Sequence, residues 1–329
     1  SSHSRLSGLS HVELDMTLTR LKALQATLIL EEAEAQETLA VKLSDIITLL
    51  ESRVNSPLVR SLHVSAVNDD ILDQLNIKQL GWIYLIKLQE SESLKQEIDA
   101  TRKLGVNETW SNDYMYKNLT FLFNNSPRTS EAASRLIIDT FLFRAACMIP
   151  SDRKVVMELE KPVPVVKPLA SKLHMLSGYI DYTVLLTAPK HHREPISCSV
   201  ALETQKCSGF FAAEGKVKVD GTSQSQAQFA QTVAELVACA KHLRQKHIRG
   251  ALTSGLTWIF IVVDIDTEGA NFWRSPPITL RYPEHEYPTS FSPTSGIWDP
   301  AFIATVLSTW IQKSSSKFEG GQWFYKEAV

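Results

Sequence analysis

The stretch Cys198-Ser-Val-Ala-Leu-Glu-Thr-Gln-Lys206 begins as a buried strand would and ends in an acid, an amide and a base. Side chains alternate across a strand, so Glu203 and Gln205 share one face, beyond the small Ala201. Lys206 falls on the opposite face unless a β-bulge turns it inward. The stretch therefore predicts a strand that ends in an acid and an amide, Glu203 and Gln205, which point to the same side of the sheet.

A second acid lies in the preceding strand candidate, Tyr179–Leu186. Asp181 stands there in a run of residues that favour strands, where an acid is disfavoured. A carboxylate on a half-buried strand needs a partner, and a divalent cation can hold two such acids. If the two strands are neighbours, Asp181 and Glu203 both reach one ion. We therefore predict a site for Mg²⁺ or Mn²⁺ at these two residues.

This order of elements resembles the PD-(D/E)XK nuclease superfamily, in which an acid on one strand is followed by an acid-x-lysine pattern on the next. The matching residues are Ile180-Asp181 and Glu203-Thr204-Gln205. The resemblance covers roughly residues 128–315, and the nuclease-like proteins of filamentous fungi show a similar pattern. It implies an α/β fold with a restriction-endonuclease-like mixed sheet flanked by helices. It also implies metal-dependent hydrolysis of phosphodiester bonds, with DNA favoured over RNA.

The sequence departs from the superfamily pattern at the lysine. Two residues after the acid stands Gln205, which can orient water but carries no charge. Asp181, Glu203, Gln205 and Lys206 are the candidate catalytic residues, and Lys216 or another lysine of the following loop is the alternative source of the positive charge. Without such a lysine, the rival hypothesis is a catalytically degenerate fold that binds nucleic acid or protein.

Flanking residues extend the candidate site. Glu131 opens a helix at a place where many members of the superfamily carry another acid, so it is a candidate metal ligand. Its alternative role is that of a first-turn acid favoured by the helix dipole. Gln228, in a helix predicted from about Ser225 to Lys246, is a candidate contact to a nucleic-acid phosphate, with a solvated polar face as the alternative. Lys216 and Lys218 are further candidates to bind nucleic acid.

Periodicity sets the expected organisation of the chain. Residues 11 to about 125 have helical periodicity, so residues 1–125 are predicted to form a helical N-terminal region and residues 126–329 the nuclease-like core. Helices are predicted to begin at Ser130 or Thr129 and at Asp299. The predicted strands are Lys154–Leu159, Tyr179–Leu186, Ile196–Glu203 and Leu256–Ile265.

Composition limits the classes of partner. The 329 residues carry a formal net charge of −2, which argues against a strongly basic coat for nucleic acid but not against a local basic groove. The four cysteines form no CxxC pair, so a structural zinc site is disfavoured and a reducing compartment is favoured. No apolar run is long enough to span a bilayer. We expect an intracellular protein, nuclear in preference to cytoplasmic, with nucleic acid as partner, no membrane association and the N-terminal helices as a candidate protein-binding surface.

Overall fold

A computed structural model describes residues 17, 21, 47, 60–86, 92–126, 130–166, 174–187, 209–216, 219, 223–267, 269–280, 299–320 and 323–328. Contacts divide the chain into two compact units, Ser1–Arg60 and Ser61–Val329. In the first unit, Thr17, Leu21 and Ile47 are helical.

Helices and strands alternate along the second unit in the order of a mixed α/β protein. The first half contains β1 (Arg60–His63), a 3-10 turn (Val64–Ala66), α1 (Asp69–Gln74), β2 (Ile77–Leu85), α2 (Glu92–Lys103), α3 (Asn112–Asn125), α4 (Glu131–Cys147) and β3 (Lys154–Val166). The second half contains β4 (His174–Thr187), β5 (Gly209–Gly215), α5 (Ser223–His242), β6 (His247–Thr253), β7 (Thr257–Ile265), β8 (Ala270–Arg274), β9 (Ile278–Thr279), α6 (Pro300–Gln312) and β10 (Phe324–Ala328).

Within the described residues, the strands form one ten-stranded sheet. Its order is β1-β4-β5-β6-β7-β8-β2-β10, with β3 paired to β4 and β9 paired to β7. The pairs β5–β6 and β2–β8 are parallel, whereas β3–β4, β4–β5, β6–β7 and β7–β8 are antiparallel. The prediction of an α/β protein with a mixed sheet flanked by helices is therefore confirmed.

Strand β7 shows why helices cover both faces of the sheet. Its side chains alternate, so Trp258 and Phe260 enter one core with residues of α3, α4 and α6. Ile259 and Ile261 enter the opposite core, which is formed mainly with α5. A continuous apolar run is typical of a strand that is buried on both faces, which is why the sequence predicted this strand correctly.

Two helix starts were also predicted correctly from capping residues. The Ser130 hydroxyl accepts a hydrogen bond from the backbone N–H of Ala133 at 3.2 Å, at the start of α4. The Asp299 carboxylate accepts one from the backbone N–H of Ala301 at 2.9 Å, at the start of α6. Such caps satisfy amides that have no partner inside the helix.

The prediction of helix throughout residues 11–125 is wrong for β1 and β2. Strand β2 contains the strand-favouring run Trp82-Ile-Tyr84, and it pairs with β8 and β10, which lie far away in the sequence. Helical periodicity is a local signal, so it did not reveal this long-range pairing. The same region does contain the helices α1, α2 and α3. None of the helices in the described part of the chain is long and apolar enough to cross a bilayer.

Candidate functional site

Two acids meet where β4 and β5 pair. The antiparallel register aligns Tyr182 with Ala213, and one step further along it Asp181 lies opposite Glu214. The backbone N–H of Asp181 donates to Glu214 Oε2 at 3.4 Å. The backbone N–H of Gly215 donates to Asp181 Oδ2 at 2.8 Å. Asp181 thus has a second carboxylate on the neighbouring strand, and that carboxylate belongs to Glu214.

A lysine completes this pair. Lys216 follows Glu214 by two residues, so Glu214-Gly215-Lys216 has the acid-x-lysine pattern. Lys216 Nζ donates to Glu214 Oε1 at 2.6 Å, and the two side chains are only 16% and 3% exposed. The backbone N–H of Lys216 donates to the Thr253 carbonyl oxygen at 2.8 Å. This bond continues the β5–β6 pairing past the end of β5 and holds Lys216 beside Glu214.

The residues that the sequence pattern assigned to this role are Glu203, Gln205 and Lys206. They lie outside the residues that the structure describes, as does Lys218. Lys216 was expected in the loop after the strand, and it is found at the end of β5 in contact with Glu214. The missed signal was Phe210-Phe-Ala-Ala-Glu-Gly-Lys216, in which two aromatic strand formers lead into the acid-x-lysine pattern.

Arg135 of α4 joins three carboxylates at the site. Its Nη2 donates to Asp181 Oδ1 at 2.5 Å and to Glu131 Oε1 at 3.0 Å, and its Nη1 donates to Glu160 Oε1 at 2.8 Å. Glu131, predicted as a metal ligand, is therefore bonded to Arg135. A Cβ atom at Gly215 would lie 3.3 Å from Asp181 Oδ2 and 3.8 Å from Arg135 Cγ, so glycine provides room for this convergence.

Helix α5 supports Glu214 from the other side. Gln231 Nε2 donates to Glu214 Oε1 at 3.0 Å and to Glu235 Oε1 at 2.7 Å, which uses both of its amide hydrogens. Glu235 is 1% exposed. Its Oε2 has no hydrogen-bond partner among the described residues. Gln228, the candidate phosphate contact, lies three residues before Gln231, and its Oε1 is buried.

No protein-family model matches the chain, and no curated protein matches it.

Burial is the largest cause of the raised pKa values of Asp181, Glu214 and Glu235. It raises the pKa of Asp181, although the Gly215 N–H and the charges of Arg135 and Lys216 oppose this. Burial and the neighbouring charge of Asp181 raise the pKa of Glu214. The pKa of Glu235 stands well above its ordinary value, because of burial and the charge of Glu214. Protons on these acids are therefore retained to higher pH than in water.

For the two basic side chains of the site, Lys216 and Arg135, the acidic neighbours decide the pKa shift. Burial alone would lower the pKa of Lys216, but the charge and hydrogen bond of Glu214 outweigh it, so the pKa is raised. The pKa of Arg135 is also raised, because its bonds to Glu160 and Asp181 outweigh its burial. Both side chains are positively charged at neutral pH, and each is held by an acid of the site.

We expect Glu235→Gln to stabilise the protein at neutral and alkaline pH. An acid whose pKa is raised by folding contributes stability below its unfolded pKa, and that contribution is lost as pH rises through the folded pKa. Glutamine removes this titration, and its amide oxygen still accepts from Gln231. In thermal melts from pH 5 to 9, the Tm of the variant should exceed that of the wild type by a margin that grows with pH, by about 2–4 °C for each kcal/mol.

The control for this prediction is Glu319→Gln, because Glu319 is 76% exposed. Its Tm should follow that of the wild type across the same pH range. A Glu235→Gln variant that is equally destabilised at every pH would show that the Glu235 carboxylate is needed in its charged form, contrary to this account.

Proposed function

We propose that the chain is a metal-dependent nuclease of the PD-(D/E)XK type, which hydrolyses phosphodiester bonds of nucleic acid, with DNA favoured over RNA. The observation that supports this best is the convergence of Asp181, Glu214 and Lys216 where the middle of β4 meets the end of β5. They supply two acids and a lysine in the order that such an enzyme requires. The restriction-endonuclease-like form of the mixed sheet is part of the same proposal.

The charges of the site fit a divalent cation. Among the described residues, four ionised acids of the site have two cationic partners, Arg135 and Lys216. When Glu235 is protonated, this leaves an excess of two negative charges from Asp181, Glu214, Glu131 and Glu160. Within the described part of the chain, no group of three or more histidine, cysteine or acidic side chains is arranged to hold a metal ion. Asp181 and Glu214 would therefore be the two protein ligands. Mg²⁺ commonly takes one or two carboxylates and completes its shell with water and substrate phosphate.

Each residue then has a distinct task. A divalent cation held by Asp181 and Glu214 would supply Lewis-acid chemistry, which would polarise a phosphoryl oxygen and make water more acidic. Lys216, whose pKa is raised, remains an ammonium group at neutral pH. It is therefore suited to stabilise negative charge on the phosphate in the transition state, and poorly suited to act as a base. Gln231 fixes the Glu214 carboxylate, and the Gly215 N–H fixes that of Asp181.

A second candidate function is a degenerate nuclease fold that binds nucleic acid or protein without cutting. One observation favours it. Asp181 and Glu214 are each bonded to a cation of the protein itself, Arg135 and Lys216 respectively. If both ion pairs persist in the presence of a divalent cation, the cluster stabilises the fold and performs no chemistry.

A cleavage assay separates the two candidates. The purified chain would be incubated with plasmid, linear duplex, single-stranded DNA and RNA, each with Mg²⁺, Mn²⁺ or EDTA. The nuclease proposal predicts cutting that requires the cation and leaves 5′-phosphate ends. Folded protein that binds a nucleic acid but cuts none of the four substrates would overturn it in favour of the binding module.

A further inference from the structure

Building on the proposed function, we propose that Arg135 is the built-in counter-ion of Asp181 and that a divalent cation displaces it from that carboxylate. In this arrangement the guanidinium group gives up its bond to Asp181 and keeps those to Glu131 and Glu160. Arg135 is then a positioning residue, which keeps the ion-free site intact and sets how tightly the cation binds.

The three acids bonded to Arg135 are unequal. Asp181 is 12% exposed, whereas Glu131 and Glu160 are 42% and 66% exposed. The guanidinium group therefore has one deep acceptor and two acceptors near the surface. Its Nη1 is bonded to Glu160 and its Nη2 is shared between Glu131 and Asp181. Releasing Asp181 thus leaves each of the two nitrogens with one acceptor.

A cation and the guanidinium group compete for the same atoms. Both oxygens of Asp181 are occupied, one by Arg135 and the other by the Gly215 N–H. A divalent ion at this carboxylate would lie about 4 Å from a positive group, and even at an effective dielectric constant of about 20 the repulsion greatly exceeds thermal energy. The guanidinium group is the partner that can move, because the Gly215 N–H belongs to the paired backbone of β5.

The backbone at Glu160 is consistent with a dedicated acceptor. Glu160 has φ of 50°, in the left-handed region that residues other than glycine rarely adopt. Such a conformation is unfavourable and persists where the surrounding structure requires it. Glu160 lies on β3, and its carboxylate binds Arg135 of α4. Glu160 thus connects β3, the strand paired with β4, to α4, the helix that carries Arg135.

Calorimetric titration of Mn²⁺ into the full chain tests the proposal. We expect Arg135→Gln to bind Mn²⁺ about tenfold or more tightly than the wild type, because the competing charge is gone. We expect Glu160→Gln to bind it more weakly, because the displaced guanidinium group loses a surface acceptor. Arg135→Gln and Glu160→Gln each delete an ion pair of Arg135. If these pairs only stabilised the fold, both variants should bind Mn²⁺ more weakly than the wild type. Asp181→Asn identifies the site, and in that variant binding should be lost.

Salt distinguishes direct competition from a distant charge effect. The gain in Arg135→Gln should persist in 0.5 M KCl, where the Debye length is about 4 Å, whereas an effect of distant charge would disappear. If Arg135→Gln does not fold, Arg135→Met replaces it, since methionine keeps an unbranched apolar stem and removes the competing charge. That variant should also bind Mn²⁺ more tightly than the wild type.

The outcomes separate this inference from the proposed function. Mn²⁺ binding that depends on Asp181 but is unchanged or weaker in Arg135→Gln, or a gain that disappears in 0.5 M KCl, would overturn the inference and leave the cation site in place. Absence of Mn²⁺ binding in both the wild type and Arg135→Gln would overturn the inference and the metal-dependent function together.

Discussion

Replacing Asp181 by asparagine is expected to slow nucleic-acid cleavage at least about 10³-fold while leaving the protein folded, a loss of about 4 kcal/mol of transition-state stabilisation. Asparagine keeps the shape of the side chain and an oxygen that accepts from the Gly215 N–H. It removes one of the two carboxylates proposed to hold the cation. Because burial already raises the pKa of Asp181, neutralising it should cost little stability.

Single-turnover cleavage with saturating Mg²⁺ is the appropriate measurement, with circular dichroism to verify the fold. Asp139→Asn is a matched control, because Asp139 is also a carboxyl group whose pKa is raised by burial, and it lies one turn after Arg135 on α4. Its cleavage rate should remain within about tenfold of the wild-type rate. Equal losses in the two variants would mean that Asp181 has no special part in the reaction.

Lys216→Met is expected to have two effects, one on activity and one on stability. Cleavage should fall by about 10²–10³-fold, as when a group that stabilises transition-state charge is removed. The free energy of unfolding should fall by up to about 3–5 kcal/mol, because buried Glu214 loses its counter-ion and must stay charged or take up a proton. Both side chains are largely buried, so solvent screens this ion pair poorly.

A double variant separates the two effects. In Glu214→Gln combined with Lys216→Met, no buried charge remains uncompensated, so stability in urea should recover while cleavage stays lost. Lys216→Arg keeps the charge and should retain more activity than Lys216→Met. If Lys216→Met cleaved at the wild-type rate, the role of Lys216 in the transition state would be refuted.

Much of the fold was predictable because its signals are local. The apolar run of β7 and the capping residues Ser130 and Asp299 lie within the elements that they specify. Strand β2 was missed because its partners β8 and β10 come from distant parts of the chain. A short segment between helices gives no indication that such partners exist.

The site was only partly predictable, for the same reason. Asp181 was identified because an acid is unusual among strand formers. The choice between Glu203 and Glu214 as its partner depends on which segment pairs with β4, and both acids follow apolar runs. Arg135 and Glu235 gave no sequence signal, because their roles arise from the contacts of α4 with β4 and of α5 with β5.

The most direct test compares Glu214→Gln with Glu203→Gln in one cleavage assay with Mn²⁺. The two substitutions are chemically identical and lie eleven residues apart, in Glu203-Thr-Gln205 and Glu214-Gly-Lys216, which both have an acid followed two residues later by an amide or a lysine. We predict that Glu214→Gln loses at least about 10³-fold in rate and that Glu203→Gln cuts within about threefold of the wild type. Loss of activity in Glu203→Gln with retention in Glu214→Gln would contradict the assignment of the site to Asp181, Glu214 and Lys216.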